Sequence, residues 1–132
     1  MVDGFNVVVS AGNLRSDDER AVHFAHRWTP EGVAVEADFT GAHLLHLAAA
    51  GCVLNDLYRE AAGMGIALDG VRVTAAGGFD TDNWTSTGIT YSVALDSTAT
   101  PADLERLLET VDEVAEIPKA IRAGARVTRT EP

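Results

Sequence analysis

The sequence predicts an α+β fold: an antiparallel sheet packed on a long, buried central helix, with a second, amphipathic helix beside it. Three observations predict it. From Leu44 to Leu54 every residue except His46 is apolar or glycine, so a helix there is apolar on all sides, and such helices are buried in cores or interfaces. Alternating segments rich in β-branched residues precede and follow it. A second helical pattern, nearer the C-terminus, carries a single apolar stripe. Helices set among hairpin-linked strands make a sheet backed by helices. A chain of 132 residues makes one domain, 1–132, whose core is small for so apolar a helix, so a dimer is expected.

Taken in order, Phe5 to Ser10 is β-branched and reads as a strand ending near Ala11-Gly12. Asn13 to Arg20 is polar and charged, a turn or loop. Ala21 to Trp28 alternates as a strand, with His23 and His26 on opposite faces. Thr29-Pro30-Glu31-Gly32 is a turn, because proline presets φ and glycine accepts positive φ. Val33 to Phe39 returns as the second arm of a hairpin. Thr40 is placed to cap the central helix, Ala42 to Ala62, and glycines 63 and 65 to stop it. The helix carries charge only at its far end, at Asp56, Arg59 and Glu60, which is expected to reach solvent. Val71 to Phe79 and Gly88 to Asp96 are two further strands; on the second, Ile89, Tyr91, Val93 and Leu95 share one face. Thr100 and Pro101 start a helix running from Ala102 to about Glu116. Its stripe is Leu104, Leu107, Leu108, Val111, Val114 and Ala115, and its acidic residues, Glu116 among them, form the solvated face. Pro118 interrupts the pattern, Lys119 to Ala123 adds a short turn, and Ala125 to Thr130 reads as a last strand.

Composition narrows the function. Twenty acidic against ten basic residues give a net charge of −10, which opposes binding to phosphate backbones and anionic membrane surfaces, so no nucleic acid and no membrane are expected as partners. The central apolar run is too short to span a bilayer, which needs roughly 20 residues. A single cysteine excludes an intrachain disulfide, and the start of the chain lacks a signal-peptide pattern, so a cytoplasmic protein is expected. No glycine-rich phosphate loop opens a helix after a strand, and the G-x-S-x-G elbow is missing. His43 and His46 share one side of the first helical turn, yet no paired ligand motif accompanies them, so no metal and no cofactor are expected.

Cys52 remains, at the middle of the central helix. It is either a small hydrophobe filling space or a reactive thiol held where water is scarce. Helical spacing puts Asn55 and Asp56 beside it, and an adjacent carboxylate raises a thiol pKa unless a cation offsets it. Leu45, Ala48 and Ala49 on the preceding turns make its surroundings apolar.

The series LLHLAAAGCVLNDLYREAAGMGI, VRVTAAGGFD, GITYSVALDS, ADLERLLETVDEVAE and IPKAIRAGARV, over roughly residues 20 to 130, resembles the OsmC/Ohr family of osmotically inducible and organic hydroperoxide resistance proteins. The resemblance implies an intertwined homodimer with the central helices buried between two sheets. It implies that Cys52 is the peroxide-attacking nucleophile, activated by an arginine from the early segment, for which Arg15, Arg20 and Arg27 are the candidates. In two places the chain departs from the family: Ile117-Pro118 stands where a Cys-Pro step carries the second cysteine, and no carboxylate stands near Ala42 or His43. Two functions are therefore expected. One is a one-cysteine thiol peroxidase that reduces a small organic peroxide and relies on an external thiol reductant. The other is a non-catalytic OsmC-like dimer that binds a small lipophilic ligand in an apolar interface pocket, with Cys52 as packing.

Overall fold

The computed structural model describes residues 4–132. Its order is β1 (Val7–Gly12), β2 (Val22–Phe24), β3 (Val33–Glu36), α1 (Gly41–Met64), β4 (Gly70–Phe79), β5 (Ser86–Asp96), α2 (Pro101–Val114) and α3 (Glu116–Ala123). The strands form one antiparallel sheet in the order β2-β3-β1-β4-β5. β1 lies at its centre, with Val9 opposite Val35 on one side and Val73 on the other. Because side chains alternate along a strand, Val7, Val9, Ala11, Val71, Val73 and Ala75 turn to one face and are buried against α1 and α2.

α1 owes its limits to local chemistry. The Thr40 hydroxyl accepts from the His43 N–H at 3.2 Å, and Gly65, at φ 71°, ends the helix in the left-handed region that glycine enters without steric cost. Gly63 lies inside the helix. α1 presents Ala50, Val53, Leu54, Leu57 and Ala61 to the core. Its far end does not simply reach solvent, as expected: Asp56 is 2 % exposed. Conversely, the first half is partly uncovered, with Leu44 and Ala48 exposed one turn apart.

The strands are shorter or shifted at their ends. Phe5 takes a positive φ of 49°, which places the start of β1 at Val7. β2 keeps three residues of the expected eight, since His26 folds into the following turn, bonding Thr29 Oγ1 at 2.7 Å. β3 stops at Glu36, before the charged Asp38 and the 90 % exposed Phe39. The expected last strand does not form: residues 125–130 have no ladder partner among the described strands, and Val127 is 94 % exposed. Two small apolar residues bury too little to offset the entropy of ordering that segment.

The second helix is capped by Thr100, which accepts from the Asp103 N–H, and buries Leu107 and Val111. It ends at Val114. Pro118 cannot donate to a carbonyl four residues back, so the chain bends at Ala115 and restarts as α3 with the proline in its first turn, where no donor is needed. The residues expected to add a short turn are thus the body of a third helix.

Where β4 meets β5, the ladder shifts register between Gly77 and Phe79. A Cβ at Gly77 would press on the Gly88 carbonyl oxygen and on His46 Nε2. Gly77→Ala is therefore expected to cost about 1–3 kcal/mol in urea denaturation. Gly63→Ala, in open space within α1, should stabilise by about 0.5–1 kcal/mol. Equal midpoints for the two variants would contradict this packing.

Candidate functional site

Cys52 lies on the buried side of α1, 7 % exposed. One helical turn on, Asp56 occupies the same face, as the spacing requires. The third member comes from the bend between α2 and α3. Ala115 is fully buried and its backbone is extended, at φ −60° and ψ 115°, which brings Glu116 back to α1. The Cys52 Sγ and one carboxylate oxygen each of Asp56 and Glu116 all lie within 4.8 Å of one another. Arg59, a further turn along, places Nη2 3.0 Å from Asp56 Oδ2 and Nε 3.3 Å from Glu60 Oε2.

The charges around the thiol oppose its ionisation. Burial pushes the Cys52 thiol up, and the Asp56 and Glu116 carboxylates push the same way; only the Ile117 backbone favours the thiolate. Burial also raises the Asp56 carboxyl, with Arg59 pulling it back and Glu116 adding to the rise. Glu116 is lowered, first by its own backbone N–H and then by Arg59. Arg59 faces the carboxylates of Asp56 and Glu60.

Sequence reasoning placed Asp56 beside Cys52. It assigned Glu116 to the solvated face of α2 and treated Arg59 as a helix-end charge. The signal for Arg59 was its place seven residues after Cys52, two turns along one face. Glu116 could not be placed before the bend at Ala115 was known. Asn55, also expected beside the thiol, instead turns to His26, its Oδ1 accepting from His26 Nε2 at 3.0 Å. Within one chain the candidate arginines stand elsewhere. Arg15 donates to the Glu31 carbonyl and lines a polar hollow with Tyr58 and Asp69. Arg20 borders another with Asp38 and His43, and Arg27 lies over the Trp28 ring, 5.7 Å from its centroid. His43 and His46 are structural in their contacts: His43 Nδ1 meets Thr40 Oγ1 at 2.6 Å, and His46 Nδ1 donates to the Phe5 carbonyl at 3.0 Å.

A second feature is an apolar cavity of about 710 Å³ between the start of α1 and the far end of the β4-β5 hairpin. Phe5, Leu45, Phe79 and Trp84 form most of its wall, and Thr81 and Thr87 give it a polar edge. Trp84, at φ 61°, stands in the hairpin loop closed by the Asp80 N–H to the Thr85 carbonyl, and is 71 % exposed.

The fold and the helix-borne cysteine define an α+β protein of the OsmC type, and comparison with known proteins agrees. The family model described as OsmC-like protein matches residues 34–130, and the chain belongs to that family. A search of curated proteins finds no match. Among solved structures, the chain is similar to an OsmC-like protein from Mycoplasma pneumoniae, at 12 % identity and a TM-score of 0.58, over 80 % of this chain and 89 % of that one. It is also similar to an OsmC-like hydroperoxide resistance protein from Jannaschia sp. CCS1, at 11 % identity and a TM-score of 0.52, over 96 % and 92 % of the two chains. At such identities the likeness is one of fold. No described helix is long and apolar enough to cross a membrane.

Asp56 makes the site sensitive to Arg59. With its carboxyl raised, the native state holds the Asp56 proton more readily than the unfolded chain does. Its stabilising contribution is complete below the unfolded pKa and is lost as pH rises through the native one. Arg59→Met removes the cation that offsets this loss; because Arg59 is 45 % exposed, solvent screening limits the cost to about 1–2 kcal/mol near neutral pH. Urea denaturation should show the deficit shrinking as pH falls through the raised range of the Asp56 carboxyl, which needs no partner once it has taken up its proton. A deficit independent of pH would show that the Arg59–Asp56 pair has no such role.

Proposed function

We propose that this OsmC-like chain acts in the cytoplasm as a homodimer that binds a small lipophilic ligand in the cavity walled by Phe5, Leu45, Phe79 and Trp84. The observation that carries this reading is the cavity itself: large enough for a small organic molecule, mainly apolar, and edged by two threonines able to orient a polar end. The dimer is supported by apolar surface that a single chain leaves open. Leu44 and Ala48 of α1 are exposed, as are Val22 and Phe24 of β2, at 53 % and 54 %. Exposed apolar side chains of this kind are what an association interface covers.

A second reading has its own support. Cys52 stands on the long helix of an OsmC-like fold, and the Jannaschia relative of that fold is a hydroperoxide resistance protein. In a one-cysteine cycle the Cys52 thiolate attacks a peroxide oxygen and the O–O bond breaks. The alcohol leaves with a proton and the sulfur becomes a sulfenic acid. An external thiol forms a mixed disulfide with loss of water, and a second releases Cys52. Such chemistry requires a thiolate, whereas burial and two carboxylates hold this thiol protonated. Binding is therefore the reading the geometry favours.

Titration with cumyl alcohol, the redox-inert counterpart of cumene hydroperoxide, tests it through Trp84. Emission should shift and saturate in the wild type, stay unchanged in Trp84→Phe, and require at least about tenfold more ligand in Leu45→Lys, since a charge in an apolar wall must be desolvated. No saturable change in the wild type would contradict the binding reading. Dimedone labelling after brief exposure to cumene hydroperoxide tests the alternative, and rapid stoichiometric trapping at Cys52 would establish the peroxide-reducing cycle. Light scattering at micromolar concentration should give the mass of two chains; a monomer would remove the proposed dimer.

A further inference from the structure

One polar group of the core is used by neither the apolar cavity nor the cysteine site. Tyr58 is 8 % exposed, and its buried hydroxyl has no hydrogen-bond partner among the described residues. A buried phenol usually finds one. Tyr58 lines a hollow of about 520 Å³ enclosed by the end of β1, the turn before β3 and the segment between α1 and β4. Burial, and after it the charge of Asp69 in the same wall, push the phenol up, so it keeps its proton and stands as a donor at neutral pH. Arg15 lines the hollow too. It donates to the Glu31 carbonyl and has no ion pair among the described residues. Asp69 is anchored through its backbone, accepting from the Asn13 N–H at 2.7 Å and donating to the Asp96 carbonyl at 2.7 Å, which leaves its carboxylate without a hydrogen bond or ion pair among those residues.

We propose that this hollow binds a small zwitterion of the α-amino acid class with an apolar side chain. The wall selects that class by its charges. Arg15 and the Tyr58 hydroxyl are donors suited to a carboxylate, and the carboxylates of Asp69 and Glu31 suit an ammonium group. A simple anion would meet two like charges, and a simple amine would meet Arg15. A ligand that carries both charges one carbon apart can turn each to its complement. Trp28 and Leu68, in the same wall, take the apolar side chain. Contact with the hydroxyl requires a side chain of the wall to shift, and Arg15, tied to the backbone by its bond to the Glu31 carbonyl, is free to turn from there to the ligand. Binding then gives the Tyr58 hydroxyl the acceptor that the fold itself does not supply.

Isothermal titration of the full-length protein with L-phenylalanine tests the site. Heat should saturate at one molecule per chain, while 3-phenylpropanoate and phenethylamine, which each carry one of the two charges, should need at least about tenfold more ligand. Tyr58→Phe removes only the hydroxyl, so it should fold with an unchanged or raised urea midpoint, yet lose about tenfold in affinity. Arg15→Gln should lose as much or more. No saturable heat in the wild type overturns the proposal. So do equal affinities for the single-charge analogues, or an undiminished affinity in Tyr58→Phe. Leu45→Lys, which disrupts the apolar cavity, should bind L-phenylalanine as the wild type does; a loss there would place the amino acid in that cavity and overturn the site. Cumyl alcohol binding at Trp84 and amino acid binding at Tyr58 can therefore each fail without the other.

Discussion

Burial of α1 against β1 and β4 is the contact on which the rest of the structure depends. The central strands contribute Val7, Val9, Val71 and Val73, and the helix contributes Ala50, Val53, Leu54 and Leu57. Removing this much apolar surface from water is the dominant favourable term available to a chain of this size. It also fixes the helix's rotation. With Leu54 and Leu57 on the sheet, Cys52 and Asp56 turn toward α2 and α3, while Leu44 and Ala48, earlier on the same row of α1, are left exposed. The site chemistry and the open apolar surface are thus two consequences of one packing decision.

Much of this was legible in the sequence, because hydrophobic periodicity reports directly on burial. The apolar run around Cys52 is the buried helix, the alternation of Val71 to Phe79 and Gly88 to Asp96 is the hairpin, and the Leu107 and Val111 stripe is the inner face of α2. What was not legible depended on competition between local options. His26 could continue a strand or bond Thr29, and the turn won. Pro118 could end a helix or begin one, and the bend at Ala115 let it begin α3. Val127 could belong to a strand, but no sheet edge among the described residues takes it.

The candidate site was half legible for the same reason. Asp56 follows from helical spacing alone. Glu116 follows only from tertiary structure, since sixty-four residues separate it from Cys52 and a single extended residue decides its direction. That residue changes the meaning of the cysteine. A carboxylate group now stands at the bend beside Ile117, where the OsmC/Ohr resemblance implied a second thiol. A cysteine with a thiol neighbour is suited to redox cycling; one between two carboxylates is held as a protonated thiol unless a cation joins them.

The central claim is accordingly that Cys52 is protonated at neutral pH. Thiolate absorbance in the ultraviolet, followed as pH is raised and referenced to Cys52→Ser, measures this directly. The account predicts ionisation only above the ordinary value of a free cysteine, with the midpoint falling when Glu116 is changed to glutamine. A thiolate already formed below neutral pH would contradict it and would return Cys52 to the role of an activated nucleophile.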